Sequence, residues 1–282
     1  MQWFISDPAV LNFNLIARFI VSLFGFLEAE FYLTLDRTNW QWGQKHINIL
    51  MRAMVYKGVA IPIYGRLLHN KGNSSTRQRI ALLQRFIGQF GKEKIKGVLA
   101  DREFVGTAWF EWLKREGIPF VIRIKKNSLT TNRRGQLVPV QALFRFLKPG
   151  EALLLKGERV VSGVRLYLAG LKLADDSLLI VACDRAYPDA IEIYGLRWQI
   201  ETLFRCLKSR GFHFEDTHVT DRAKIKRLLA VTVIAFCWAH RVGEWVQEQV
   251  KPIPVKKHQR LAKSVFRAGL DHINEALFSL LY

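Results

Sequence analysis

Phe31-Tyr-Leu-Thr-Leu-Asp36 and Ile95-Lys-Gly-Val-Leu-Ala-Asp101 are two short apolar runs, each closing on a carboxylate, and their reading decides the fold. In the first, a period of two puts Leu33 and Leu35 on one face and Tyr32, Thr34 and Asp36 on the other, which predicts a strand with Asp36 at its end. The second reads as a buried strand that delivers Asp101 in the same way. Between them, "INILMRAMVYKGVAIPIYGRLL" from Ile47 to Leu68 turns at Lys57-Gly58, so three antiparallel strands follow one another. Asn70 to Ser75 is a loop whose serines can cap a helix in which Ile80, Leu83, Ile87 and Phe90 recur. A helix over Glu103 to Arg115 and a strand over Ile118 to Ile124 complete a βββαβαβ order, the pattern of an α/β sheet.

Working outward, Val10, Phe13, Phe19, Ile20, Leu23, Phe24 and Leu27 predict a first helix from about residue 8 to 28. Beyond Lys125 the pattern changes to short β-prone pieces separated by Gly, Pro and Asp-Asp turns, a β-rich insertion that lasts to Pro188. Helical periodicity returns at about Ala190 and continues through Leu229–Trp245 and Gln259–Leu281. The expected domains are an N-terminal helix (1–29), a first core part (30–124), the insertion (125–188), a second core part (189–248) and a C-terminal helical region (249–282).

With 282 residues, half of them hydrophobic, the chain can bury a full core. Its net charge of +19 suits a polyanionic partner, nucleic acid before a membrane surface. The apolar stretch Trp3 to Leu27 carries Asp7, Asn12, Asn14 and Arg18, and Leu228 to Ala239 is too short against the roughly 20 residues a bilayer needs. No span and no secretory leader is expected, which points to the cytosol. Cys183, Cys206 and Cys237 are far apart and read as core residues, and the histidines lack metal-ligand spacing. Any metal would be held by oxygen. Asp36 and Asp101, closing apolar strands, need a cation, donors or solvent, and Mg²⁺ prefers such hard ligands. Asp184, closing "LLIVACD", is a rival carboxylate; Glu103 and Glu192 read as surface charges. The clusters Lys125-Lys126, Arg133-Arg134, Arg222 to Arg227 and Lys256 to Arg260 together suggest a nucleic-acid track.

Tyr194, Arg197, Glu201 and Lys208 are spaced +3, +4 and +7, so they project from one helical stripe, while Leu196, Ile200, Leu203 and Leu207 form another. One stripe is expected to pack and the other to meet a ligand. This Y-x2-R-x3-E-x6-K spacing, with Asp36-Arg-Thr-Asn-Trp40 and Ala100-Asp101-Arg-Glu-Phe104, resembles the DDE transposases of bacterial insertion sequences, the insertion sequence four family, over roughly residues 30 to 240.

The resemblance implies a ribonuclease-H-like core with the β-rich insertion before the last catalytic helix, and a helical C-terminal region. It implies Asp36, Asp101 and Glu201 as catalytic metal ligands for Mg²⁺, with Mn²⁺ as a substitute, and Tyr194, Arg197 and Lys208 as DNA-phosphate contacts. The implied activity is cut-and-paste transposition: cleavage at element ends, then strand transfer by the freed 3′-OH. The partners would be double-stranded DNA, at element ends and target, and a second copy in an active homodimer, in the bacterial cytosol without a membrane. Relatives carry a longer N-terminal region, so with 35 residues before Asp36 recognition of the ends by this chain alone is expected to be weak. No Trp lies between Trp112 and Trp198 to hold a flipped base, which leaves Phe144, Phe146 or Tyr167. The competing readings are a truncated DNA-binding relic or inhibitor of a full-length transposase, and a metal-dependent nuclease without strand transfer.

Overall fold

Alternation along β1 (Phe31–Trp42) dictates how the sheet is covered. Phe31 meets Phe86 of helix α2 (Thr76–Phe90) edge to face with ring centroids 6.1 Å apart, while Tyr32 packs on the opposite layer. A computed structural model describes residues 12–69, 72–132, 134–257 and 259–281. Within them β1, β2 (Lys45–Tyr56) and β3 (Val59–Leu67) form the expected antiparallel run, with the turn at Lys57-Gly58, where φ is +41° and +88°. After α2 come β4 (Ile95–Ala100), helix α3 (Thr107–Arg115) and β5 (Phe120–Arg123). β4 lies parallel to β1 and to β5.

Two boundaries move. β1 does not stop at Asp36 but runs on to Trp42; the last parallel pair is Leu35 with Ala100, so Asp36 sits where β4 has ended. The helix expected from Glu103 begins at Thr107, because residues 101–104 form a turn closed by Phe104 N–H donating to the Asp101 carbonyl at 2.9 Å. At the other boundary of α2, Ser75 and Gln78 form a reciprocal capping box, as the serines of that loop suggested. Asn70 and Lys71 of the loop lie outside the described residues.

The insertion contributes β6 (Leu129–Thr131), β7 (Leu137–Pro139), β8 (Ala152–Leu154), β9 (Arg159–Val161), β10 (Val164–Lys172) and β11 (Leu178–Cys183). β6 and β7 make a small sheet of their own. The others extend the core sheet, whose order is β3-β2-β1-β4-β5-β11-β10-β8 with β9 on β10. Antiparallel β11 pairs with β5 through Ala182 and Ile122, so the insertion is continuous with the core. The result is a mixed α/β architecture.

Contacts divide the chain into two compact units, one of Ala29–Asn39 and Asn48–Glu201, the other of Met1–Glu28, Trp40–Ile47 and Thr202–Tyr282. The larger holds the sheet. On one face Phe110 of α3 stacks on Phe120, and on the other helix α4 (Ala190–Gly195) inserts Ala190, Ile193 and Tyr194 against Leu99, Val121, Ala169, Val181 and Cys183. In the smaller unit helix α1 spans Phe13–Leu23, capped by Asn12, and a 3₁₀ turn follows over Phe26–Glu28. Residues 8–11 of the expected first helix lie outside the described residues. Helices α6 (Arg222–Trp245) and α7 (Val265–Leu281) cross where Gly243 and Gly269 leave no room for a Cβ: one at Gly269 would lie 1.8 Å from the Ala239 carbonyl oxygen. α7 begins at Val265, later than the expected Gln259.

Candidate active site

β1 and β4 carry Asp36 and Asp101 to the same end of neighbouring parallel strands. Parity places both on the face covered by α4, and that helix leads into the third carboxylate. After Gly195 the chain tightens into a 3₁₀ turn, Leu196–Trp198, before helix α5 (Gln199–Leu207). The tightening turns Tyr194 and Arg197 inward. Both are buried, at 1 % and 3 % exposure, so the stripe expected to meet a ligand instead faces the chain's own carboxylates.

Arg197 is the hub. Its Nη1 donates to Asp36 Oδ2 at 3.0 Å, its Nη2 to Glu201 Oε1 at 2.7 Å and its Nε to the Tyr194 hydroxyl at 3.1 Å. The hydroxyl in turn donates to Asp101 Oδ1 at 3.4 Å. All three acidic residues are thereby tied to one guanidinium, directly or through the phenol. Arg123 of β5 approaches Asp101 Oδ1 at 3.8 Å from the other side.

Burial governs the electrostatics. It pushes the Asp36 carboxyl up to about 6, with Glu103 and Asp101 adding repulsion, against the lowering influence of Arg197 and of the Arg37 N–H. It likewise pushes the Tyr194 phenol up to about 12. For Arg197 burial acts to discharge the group, yet Tyr194, Asp36, Glu201 and Asp101 more than offset this and its pKa is raised. The guanidinium is a fixed cation in a site that demands one.

A second layer went unread in the sequence. Arg37 grips both oxygens of Glu103 at 2.6 Å, and also donates to the Asn48 and Asn73 side chains and the Gly72 carbonyl. Buried Arg79 holds the Glu103 carbonyl at 2.9 Å and the Ser74 carbonyl at 2.7 Å. Glu103 is therefore a half-buried anchor of the loop that presents Asp101, not the surface charge expected. Trp198, half exposed, lies against the Arg197 guanidinium at 5.2 Å and is a further aromatic of the site.

The remaining candidates lie elsewhere. Asp184 accepts from Phe120 N–H at 2.8 Å and from Tyr187 and Arg185, a structural role at the foot of β5. Lys208 belongs to the smaller unit, half-buried 3.8 Å from Glu215 and over the Trp40 ring at 5.1 Å. Phe144 is fully buried against Gly170, while Phe146 is exposed. Arg133 and His258 of the basic clusters lie outside the described residues. The three cysteines are free and buried.

The donor set suits a hard divalent cation: three carboxylates, no thiolate or imidazole, and a carboxyl whose raised pKa marks unmet demand for positive charge. Among the described residues no three acidic, His or Cys side chains converge closely enough to ligate one ion; the charge between Asp36 and Glu201 is supplied by Arg197. The residues fit a metal in donor type, while their spacing, with Arg197 between Asp36 and Glu201, is not that of a closed ligand set.

The family model described as "Transposase DDE domain" matches residues 30–238. The chain is a member of that family, whose enzymes act with divalent metal ions. No curated protein matches it. Among solved structures, the piggyBac transposase synaptic complex with hairpin DNA is similar at a TM-score of 0.44 and 14 % identity, over 86 % of this chain. The chain spans about half of that one, 51 %. Among the described residues no helix is long and apolar enough to cross a membrane.

Proposed function

We propose that this chain is a cut-and-paste transposase of the insertion sequence four type, with a ribonuclease-H-like core, that cleaves DNA at element ends and transfers the freed 3′-OH into target DNA. The observation that carries the reading is the single guanidinium to which Asp36, Glu201 and, through Tyr194, Asp101 are all tied. Membership of the transposase family supports it, as does the strand order, with three antiparallel strands followed by two parallel ones.

Asp36, Asp101 and Glu201 would hold Mg²⁺. The ions, when bound, lower the pKa of the attacking water and neutralise charge on the leaving 3′ oxygen. The chain's own residues supply the rest. Arg197 spans two carboxylates through a planar fork, the geometry that also grips a phosphate through two parallel hydrogen bonds. Its Nη groups, which donate to Asp36 and Glu201, would be the donors that grip the scissile phosphate. Tyr194, anchored in the core beneath α4, keeps Asp101 oriented. Trp198 offers a ring at the mouth of the site for a neighbouring base. Lys208 contributes positive charge along the path of the DNA, and a second copy of the chain completes the active complex.

The test is incubation with Mg²⁺ and duplexes that carry the element's ends, scored separately for cleavage and for joining. Asp36→Ala, Asp101→Ala and Glu201→Ala are each expected to abolish both while DNA binding survives. Cleavage without joining would identify a nuclease, and binding without either a relic or inhibitor. Activity in any of the three variants, or in excess chelator, would sink the proposal; so would an inactive Asp184→Ala beside an active Glu201→Ala.

A further inference from the structure

Beside Arg102, the residue after Asp101, the larger unit has a cavity of about 240 Å³. Arg102, Arg123, Lys125 and Lys126 all line it, Asn127 adds an amide, and the rest of the wall is aliphatic. No acidic side chain lines it among the described residues. Four cations lining one space repel one another through solvent, since Arg102, Lys125 and Lys126 are exposed and Arg123 is half-buried. Arg123 also lies 3.8 Å from Asp101 Oδ1, a long contact. An oxyanion in the cavity would relieve the repulsion.

The backbone that carries the cations is fixed. Arg123 ends β5, and the N–H of Ile124, the next residue, donates to the Ile180 carbonyl of β11 at 2.9 Å. The turn that follows is closed by Ser128 N–H on the Lys125 carbonyl and pinned to the insertion by Gln141 N–H on the Lys126 carbonyl, both at 3.0 Å. Arg102 is set by its own N–H, which donates to Asp101 Oδ1 at 2.7 Å. The backbone that carries the charges is therefore ordered before any ligand arrives, which leaves only the side chains to be fixed on binding. The position agrees with the general rule that ligands of open α/β sheets bind beyond the carboxyl ends of parallel strands, here β4 and β5.

We infer that this cavity is an anion site that receives a phosphodiester of the DNA backbone beside the one presented to the carboxylates. It fixes the register of the strand rather than its sequence, because a phosphate carries no base identity. The inference rests on the transposase reading only for the identity of the polymer; the same chemistry would admit a free phosphate or pyrophosphate.

The experiment uses the full chain in excess EDTA, so that nothing is cleaved and a failure of the catalytic proposal does not touch the outcome. Affinity for random-sequence duplex is measured against salt for the wild type and for a Lys125→Gln/Lys126→Gln variant, both positions exposed and so tolerant of exchange. Each phosphate contact removed lowers the slope of log affinity on log salt by roughly one, so for the single phosphodiester in the cavity a reduction of about one is expected. The same change at exposed Lys92 and Lys148, outside the cavity, should move it far less. In parallel, pyrophosphate is titrated while the amide signals of residues 124–127 are followed by NMR. Shifts that saturate in the wild type and vanish in the variant support the site. Loss of pyrophosphate binding together with the slope change assigns it to the DNA backbone, whereas loss with an unchanged slope assigns it to a free oxyanion. If neither the slope nor the pyrophosphate shifts respond to the variant, the inference is overturned.

Discussion

Asp36 is the residue on which the site's thermodynamics turn. Its folded-state pKa is raised from 3.8 to about 6, chiefly by burial, so the fold binds a proton there more tightly than the unfolded chain does. The contribution of this group to stability is therefore fully present below about pH 4 and is lost as pH rises through about 6. The difference is on the order of 3 kcal/mol. In excess EDTA the melting temperature is expected to carry a falling component across that window, and Asp36→Asn should remove it. A wild type and variant with parallel pH profiles would contradict the assignment. Arg197 explains why a carboxylate so placed is tolerated: it is nearly as buried as the core, yet every nitrogen of its fork is used.

At the level of elements, the loop between β4 and α3 is held less by its own sequence than by Arg37 and Arg79. Glu103→Gln leaves the Arg37 guanidinium facing an amide in a half-buried setting, a loss of about 1–3 kcal/mol. A lower melting temperature is expected, with slower cleavage at undiminished DNA affinity; a change within about 0.5 kcal/mol would return Glu103 to the ordinary surface. The strands and their carboxylates were legible because period two and the Lys57-Gly58 turn are local signals. Arg197 and Glu201 were legible as an i, i+4 pair. The inward turn of Tyr194 and Arg197 was not, since it depends on the 3₁₀ step at Leu196–Trp198 and on what α4 packs against. Glu103 escaped notice because its partner lies 66 residues away in the chain. Asp36 was misplaced at a strand end because β1 continues through polar residues paired with β2, where hydrophobicity gives no sign of a strand.

At the scale of the whole larger unit, β5 is hydrogen-bonded to β4 on one side and to β11 on the other, so core and insertion share one ladder. Native-state hydrogen exchange is expected to find Ile122 and Ala182 opening with the same free energy, as members of one cooperative unit. An insertion that exchanges well before β4 and β5 would show instead that it is a separate module. The shared ladder has a mechanical side as well. Strands joined edge to edge have no hinge between them, so a load on the insertion travels through β11 to Arg123 at the end of β5, and from there to Asp101. Whatever grips the insertion from outside therefore pulls on a lever whose short arm ends at Asp101.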